Sequence, residues 1–332
     1  MYLPFARVPY EENRIFAKRL LVMVRIVNTD RVDPWFEAML RGDFADAWRI
    51  SDSLLHTMRQ QDHTRVPRHE QNIWDGRPVA GKRVLVRCYH GLGDTIQFIR
   101  YASLLKRVAA EVIVWMQPSL IPLLREVEGI DRVLPLHDGV PDVEYDVDLE
   151  LNELLYVFRT TLETIPAEVP YLHVAPALLR RSDELKVGLI WRSGEWDERR
   201  SIPFAELRPL SEVSGVEWHL LQRDPRRAGW NGEFGMSTGG DNPLDDARIM
   251  CTLDLVISVD TMTAHLAGAL ARPTWTLLPY DADWRWMRDR EDSPWYPTMR
   301  LFRQQRKGDW SPIVESLAIE LAKTVRLRRR ES

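Results

Sequence analysis

The sequence predicts an α/β protein that carries two parallel sheets, and three observations support this expectation. Short β-rich runs alternate with helical stretches from residue 83 to residue 151, the order that produces a parallel sheet covered on both faces. The same alternation restarts at residue 186. The chain of 332 residues also exceeds the usual size of one domain, which is roughly 100 to 200 residues. We therefore expect two Rossmann-like domains that face a common cleft, preceded by a short helical hairpin.

The hairpin is predicted over residues 34–59, where apolar residues recur at three- and four-residue spacing and Gly42 and Asp43 interrupt the pattern. An array of helical repeats needs about three units to close its core, and no second copy follows. The hairpin must therefore pack against the rest of the protein. A polar stretch, residues 59–81, separates it from the first sheet. We assign both segments to residues 1–80.

The two sheet domains are assigned to residues 81–175 and 176–332, and a weakly patterned segment, residues 172–185, is predicted to link them. The predicted strands are the buried-type runs at residues 83–89, 111–116, 132–136, 145–151, 186–191, 217–221, 254–259 and 273–279. The predicted helices include one from Thr95, one over residues 118–129 and an amphipathic one over residues 311–327.

The composition excludes several classes of protein. With 45 basic and 49 acidic residues the net charge is -4, so no broad positive field gathers nucleic acid. No apolar run reaches the roughly 18 residues that span a bilayer, and we expect a cytoplasmic protein. Cys88 and Cys251 lie in separate apolar runs and are predicted to be buried thiols.

The end of the chain is its most basic segment. The basic residues concentrated there are Lys323, Arg326, Arg328, Arg329 and Arg330. Such a tail could make peripheral contact with anionic lipid headgroups of a membrane, or it could be a solvated, frayed terminus.

The first chemical motif is the turn after the first predicted strand, from His90 to Thr95. Gly91 and Gly93 allow a tight bend and are expected to leave room for a ligand beside the backbone. The dinucleotide-binding fingerprint needs a third glycine where Ile96 stands. The turn therefore argues against a nicotinamide or flavin enzyme.

Asp94 in this turn allows two interpretations. The carboxylate could cap the helix predicted from Thr95 by accepting its free amide protons. It could instead accept the proton of an acceptor hydroxyl that attacks a sugar carbon. An ordinary carboxylate is a weak base, so the second role depends mainly on alignment.

The second motif follows the predicted strand 254–259 and opens a helix. It comprises Asp260, Thr261, Met262, Thr263 and His265. The amides at the start of a helix, with the positive end of its dipole, form an anion site that suits a diphosphate. The alternative is that Asp260 and Thr261 only cap the helix and that His265 is a core residue.

The third motif is the loop after the predicted strand 186–191. Arg192, Ser193 and Arg200 could stabilise the charge of a departing diphosphate, which would remove the need for a metal ion. The alternative is a solvated, charged loop in which Asp197, Glu198 and Arg199 neutralise one another.

Two further patterns are considered. The aspartate pairs Asp146/Asp148 and Asp281/Asp283 resemble metal ligands, but we predict no metal site. The aromatic cluster of Trp284, Trp286, Trp295 and Tyr296 is predicted to pack between the domains, although it could also stack on a base or sugar ring.

Two long segments carry a resemblance to a known family. WDGRPVAGKRVLVRCYHGLGDTIQFIRY, residues 74–101, is similar to the start of the catalytic region in tetratricopeptide-repeat glycosyltransferases. DLVISVDTMTAHLAGALARPTWTLLP, residues 254–279, is similar to the donor segment of heptosyltransferase-like family 9 glycosyltransferases. The resemblance covers residues 74–322.

By that resemblance the fold is GT-B and the enzyme is an inverting, metal-independent glycosyltransferase that needs no cofactor. Its donor is a nucleoside-diphosphate sugar such as ADP-heptose, and its acceptor a glycan, a lipid-linked lipopolysaccharide core or a protein. The matching residues are Asp94 as base, Arg200 at the diphosphate, Arg192 and Ser193 at the strand end, and Asp260, Thr261 and His265 in the donor turn.

The chain departs from the family at two points. Met262 stands where heptosyltransferases have glycine, and only one helical hairpin precedes the catalytic region. Two alternatives therefore stay open: a non-catalytic module that binds a sugar nucleotide or a partner protein, and an epimerase of the same fold that acts on the sugar nucleotide.

Overall fold

A computed structural model describes residues 33–58, 67–194, 197–240 and 242–331 of the chain. Part of the predicted segment 1–80 therefore lies outside the described residues. The described helices are α1 (Pro34–Leu40), α2 (Phe44–Met58), α3 (Leu92–Phe98), α4 (Ala102–Lys106), α5 (Ile121–Leu124), α6 (Leu154–Val157), α7 (Arg208–Ser211), α8 (Pro243–Met250), α9 (Met262–Ala269) and α10 (Ser311–Glu331).

Ten described strands form two sheets in which every pairing is parallel. They are β1 (Arg83–Arg87), β2 (Glu111–Met116), β3 (Arg132–Pro135), β4 (Val147–Glu150), β5 (Leu185–Ile190), β6 (Val216–Leu220), β7 (Met236–Ser237), β8 (Leu255–Val259), β9 (Thr274–Leu278) and β10 (Met299–Arg303). The strand orders are β3-β2-β1-β4 and β10-β9-β8-β5-β6-β7. Two parallel sheets were predicted; β7 and β10 are additions to the predicted strands.

The strand orders fix where a ligand crevice can form. In the first sheet the chain leaves β1 toward β2 on one side and returns to β4 on the other, and in the second sheet β6 and β8 flank β5 in the same way. Crevices open at the carboxyl ends of such strands, where the direction of connection reverses. The three chemical motifs follow β1, β5 and β8, so all of them lie at these reversal points.

One hydrophobic core joins the two sheets. Val84 of β1, Val256 of β8 and Ala267 of α9 belong to a single cluster of buried residues that also includes Trp35 and Trp48 of the hairpin. A separate cluster packs α10 against the other face of the second sheet. The predicted dependence of the hairpin on the rest of the protein is confirmed by this shared core.

The hairpin forms as predicted around Gly42, whose backbone adopts a positive φ of 73°. Trp48 Nε1 donates to the carbonyl of Thr160 at 2.6 Å, and Glu37 forms an ion pair with Arg288 at 2.7 Å. The hairpin therefore contacts the segment that follows β4 of the first sheet and the segment between β9 and β10 of the second. Residues 59–66 of the predicted polar stretch lie outside the described part of the chain.

The segment between Val157 and Leu185 contains neither helix nor strand, and it includes the predicted linker 172–185. Its backbone docks on the second sheet domain, where the amides of Tyr171 and Leu172 donate to the carbonyl of Ala269. The boundary at residue 175 stays a prediction.

The predictions for the cysteines and the tail are only partly correct. Cys88 is buried, but Cys251 is half-buried because it follows α8 at the edge of the core. The basic tail forms the last turns of α10, most of its basic side chains are exposed, and Arg328 forms an ion pair with Asp254. The tail is therefore solvated, as one of the two alternatives has it, but it is helical and not frayed. Contact of this tail with a membrane stays a prediction; within the described residues, no helix combines the length and apolarity needed to span a bilayer.

Candidate functional site

A cavity of about 2510 Å³ lies between the carboxyl edges of the two sheets. Its lining includes the turns that follow β1, β5 and β8, together with residues of α1 and of the segment after β9. Each predicted motif therefore contributes to one cavity. All of the predicted site residues except Ser193 line the cavity. They are Gly91, Gly93, Asp94, Arg192, Arg200, Asp260, Thr261, Met262, Thr263 and His265.

Asp94 caps its helix from inside the first turn. Helix α3 begins at Leu92, with Gly91 as the N-cap residue and Asp94 at the third position. The Asp94 carboxylate accepts the amide hydrogen of Gly91 at 2.9 Å. The prediction that the helix starts at Thr95 is therefore wrong by three residues, because the glycines belong to the first helical turn and its cap.

Gly93 provides room for another helix. A Cβ atom at this position would lie 2.9 Å from His265 Cδ2 and 3.3 Å from the Cα of Met262. Both distances are shorter than ordinary van der Waals contacts, so the missing side chain lets α3 approach the start of α9. The expectation that Gly93 makes room for a ligand is corrected by this contact.

Arg285 is the residue that sequence reasoning missed. Its Nη2 forms an ion pair with Asp94 Oδ1, and its Nη1 donates to Asp283 Oδ1 at 2.7 Å. The guanidinium lies over the rings of Trp284 and Phe98, at 4.8 and 5.3 Å from their centroids. Asp94 is therefore engaged by a nearly buried cation as well as by its own turn.

The electrostatic surroundings keep Asp94 ionised and the neighbouring histidine neutral. Burial alone would raise the pKa of the Asp94 carboxyl, but the Arg285 guanidinium holds that pKa below its usual range. Burial lowers the pKa of His90 to about 4. Burial also raises the pKa of Glu150, which accepts the amide hydrogens of Tyr89 and Asn152 behind the turn.

Glu153 is a half-buried carboxyl group that joins the first sheet to the segment before β1. It accepts amide hydrogens from Ile73, Trp74 and Glu150. Burial raises the pKa of Glu153 from 4.5 to about 7, although these hydrogen bonds oppose the shift. The folded protein therefore binds the proton more tightly than the unfolded chain.

This shift predicts a pH-dependent stability. Replacing Glu153 by glutamine keeps a neutral carbonyl acceptor at all pH values, so the comparison isolates the titration. We compare the free energy of unfolding of the wild type with that of Glu153→Gln. The difference, wild type minus variant, is expected to fall by about 1 to 3 kcal/mol as the pH rises from 4.5 to 7, because the folded protein loses its tighter hold on the proton. Urea unfolding of both proteins at pH 4.5, 6 and 8 measures this difference. A difference that stays constant or increases over this range would contradict the assignment.

The turn after β8 forms the start of α9. Thr261 is the N-cap residue and accepts the amide hydrogen of Thr263 at 3.2 Å, so the capping predicted for Thr261 is confirmed. Asp260 precedes this N-cap residue and is not the cap; its buried carboxylate lies 3.5 Å from Nη1 of Arg200. Met262 and Thr263 occupy the first helical turn and line the cavity.

The loop after β5 places two arginines at the cavity. The Arg200 side chain is 11% exposed and lies between Asp197 and Asp260. The Arg192 amide donates to Gln222 Oε1 at 2.9 Å, and its half-exposed side chain lies 3.7 Å from Glu198.

The other two polar residues of this loop have partners within it. Arg199 pairs with Asp197 at 2.8 Å, so the predicted neutralisation of Arg199 is confirmed. Ser193 does not line the cavity, and its hydroxyl donates to the Asp197 carbonyl at 2.8 Å.

His265 is both a core residue and part of the cavity wall. It is 6% exposed, stacks on Trp286 with ring centroids 5.3 Å apart, and its Nδ1 lies 3.1 Å from the Tyr296 hydroxyl. Burial lowers the pKa of His265 to about 3, so the ring is neutral near pH 7. Its second nitrogen, Nε2, is the atom that could meet a ligand oxygen.

The aromatic cluster after β9 packs between the domains, as predicted. The ring of Trp284 stacks on that of Phe98 in α3, with the ring centroids 6.3 Å apart. Trp295 contacts Phe98 as well as Phe44, which belongs to the hairpin. Trp286, Trp295 and Tyr296 are fully buried. Only the Trp284 ring of this set also lines the cavity.

The aspartates considered as metal ligands each have a basic partner. Asp146 pairs with Arg83, Asp148 with Arg87, Asp281 with Lys307 and Asp283 with Arg285. Over residues 33–58, 67–194, 197–240 and 242–331, no three His, Cys, Asp or Glu residues group as a metal site.

The two halves of the cavity differ in charge. Among the described residues, the lining on the side of the hairpin and the first sheet, up to Asn152, includes three carboxylates and neither Lys nor Arg. The lining on the side of the second sheet, from Ile190 onward, includes ten Lys or Arg residues and seven carboxylates. An anionic group is therefore stabilised on the side of the second sheet.

Comparison with known proteins identifies the architecture. A glycosyl transferase family 9 structure from Veillonella parvula superposes with a TM-score of 0.55 at 13% identity, over 76% of this chain and 99% of that one. The chain has the GT-B fold. The resemblance to family 9 is thus confirmed at the level of the fold, and the GT-B prediction with its two facing parallel sheets is correct.

Two further comparisons accompany the GT-B match. Protein FlbA of Caulobacter vibrioides is 27% identical to this chain over 75% of its length. The match covers 48% of the length of that protein. An Escherichia coli ADP-heptose lps heptosyltransferase II matches with a TM-score of 0.49 at 16% identity, over 73% of this chain and 99% of that one; that similarity is too low to support a conclusion. No protein-family model matches the chain.

Proposed function

We propose that the protein is an inverting, metal-independent glycosyltransferase that uses a nucleoside-diphosphate sugar. One observation carries the proposal. In one GT-B cavity, a helix start that lies beside the largely buried Arg200 faces the carboxylate of Asp94 on the other domain. Such a fold hosts many activities, so the assignment depends on these residues.

The donor diphosphate is assigned to the side of the second sheet. The free amides at the start of α9 attract an anion, and Arg200 lies beside them through its contact with Asp260. The excess of basic lining residues on this side supports the same placement. Arg200 and the helix amides would stabilise the leaving diphosphate without a metal ion.

The acceptor hydroxyl is assigned to the side of the first sheet, where Asp94 lies. Its oxygen would attack the anomeric carbon and form the new glycosidic bond while its proton passes to the Asp94 carboxylate. The bond from that carbon to the diphosphate oxygen breaks in the same step, and the nucleoside diphosphate leaves with the electron pair. Attack from the face opposite the leaving group inverts the configuration. An acceptor hydroxyl on an uncharged glycan suits this carboxylate-bearing wall.

Calorimetry tests the donor assignment. ADP, UDP, GDP and their common sugar conjugates are titrated into the wild type without metal, and the best ligand is repeated on Arg200→Ala. Loss of charge-assisted hydrogen bonds should weaken binding by roughly 10- to 100-fold. Arg87→Ala is the matched control, because Arg87 is 14% exposed in an ion pair outside the cavity; its affinity should equal that of the wild type.

The other outcomes separate the alternatives. If none of these nucleotides binds, the transferase proposal is wrong and a module that binds a partner protein takes its place. If NMR shows that the donor sugar is converted without an acceptor, the protein is an epimerase.

A further inference from the structure

Arg285 occupies the place where the two halves of the cavity meet. Its side chain is 13% exposed and contacts Asp94 across the cleft and Asp283 on its own segment. Its Nε is buried and has no hydrogen-bond partner among the described residues. Trp295 Nε1 donates to the Arg285 carbonyl at 2.9 Å, which helps to hold the backbone at this residue. Rotation of the side chain can therefore move the guanidinium to another partner while this backbone contact is kept.

The start of α9 lies next to this ion pair. A Cβ atom on Gly93 would lie 3.3 Å from the Cα of Met262, in the first turn of α9. Asp94 follows Gly93 directly, so it too lies close to the start of α9. The charge of Arg285 also reaches this turn: after burial, it is the largest influence that lowers the pKa of His265. A diphosphate at the start of α9 would therefore lie within the electrostatic reach of Arg285.

We propose that Arg285 is a positioning residue that couples donor binding to the release of Asp94, an inference that rests on the proposed function. Without donor, the guanidinium occupies Asp94 Oδ1, the oxygen that would otherwise accept a proton. A bound diphosphate carries more charge than one carboxylate and draws the guanidinium toward itself. Asp94 then faces the acceptor hydroxyl with that oxygen available. The donor thus binds before the acceptor can be deprotonated.

A double-mutant cycle on nucleotide binding tests this coupling. ADP, UDP and GDP are titrated into the wild type, Asp94→Asn, Arg285→Gln and the double variant. Asparagine in place of Asp94 removes the competing carboxylate, so the affinity for the nucleotide that binds should rise about fivefold or more. In the Arg285→Gln background the same substitution should change affinity less than twofold. A purely structural role of Arg285 would not produce this dependence.

Asp148→Asn is the control, since it removes a carboxylate from an ion pair of similar burial outside the cavity and should leave affinity unchanged. If Arg285→Gln does not fold, the cycle is run with Arg285→Lys, whose ammonium cannot contact two partners in a fork, and the coupling should again shrink. Equal effects of Asp94→Asn in both backgrounds, or no tightening at all, would overturn the inference and leave the proposed function standing. Failure of every protein to bind any nucleotide would overturn both.

Discussion

Replacing Asp94 by asparagine is expected to lower sugar transfer by about 100- to 10,000-fold, the usual contribution of a positioned general base. The asparagine carbonyl can still accept the amide hydrogen of Gly91, which Asp94 accepts at 2.9 Å. The turn and α3 should therefore keep their structure. What the variant loses is the carboxylate that takes up the acceptor's proton in the proposed step.

The measurement is the acceptor-dependent release of nucleoside diphosphate, with donor affinity measured separately. A loss of turnover with retained donor binding assigns Asp94 to the chemical step. Asp283→Asn is the comparison, because Asp283 pairs with the same arginine from its own segment; we expect it to cost less than about tenfold. Should Asp94→Asn keep more than a tenth of the activity, Asp94 would be a capping residue alone.

The fold could be predicted from the sequence wherever burial sets the residue pattern. The strands β1, β2, β5 and β8 are apolar runs because both faces of a parallel sheet are covered, and these were found. Strand β10 was missed, since its sequence alternates two arginines with apolar residues and Arg300 reaches out to Glu320 at 3.0 Å. Strand β7 consists of only two exposed residues and offers no pattern at all.

The candidate site was predictable in its local parts but not in its long-range contacts. The turns that contain Asp94 and Thr261 follow buried strands, so their position at the sheet edge could be inferred. Arg285 is 191 positions from Asp94 along the chain, and nothing in its neighbourhood indicates that partner. The role of Gly93 was misjudged for the same reason, because only the folded protein places α9 against it.

The largest loss of stability is expected for Trp295→Ala. Trp295 is fully buried and contacts the rings of Phe44, Phe98 and Trp284, which belong to the hairpin, the first sheet domain and the second. Its carbonyl also accepts a hydrogen bond from the buried Arg100 at 2.6 Å, but that contact is made by the backbone and survives the substitution. Removing the indole leaves a cavity at the junction of three segments, and the free energy of unfolding should fall by about 3 to 5 kcal/mol.

Urea unfolding measures this loss, and Trp275→Ala provides the matched comparison. Trp275 is a half-buried indole on β9 that packs on Phe302 in the core of the second domain, so its removal should cost less than half as much. Loss of Trp295 should also expose the hairpin to protease earlier in the unfolding transition than the second sheet, because the hairpin loses a contact that it cannot replace. The two substitutions could instead lower the free energy of unfolding equally, with no earlier cleavage of the hairpin. That result would show that the aromatic cluster packs in the interior but does not hold the three segments together.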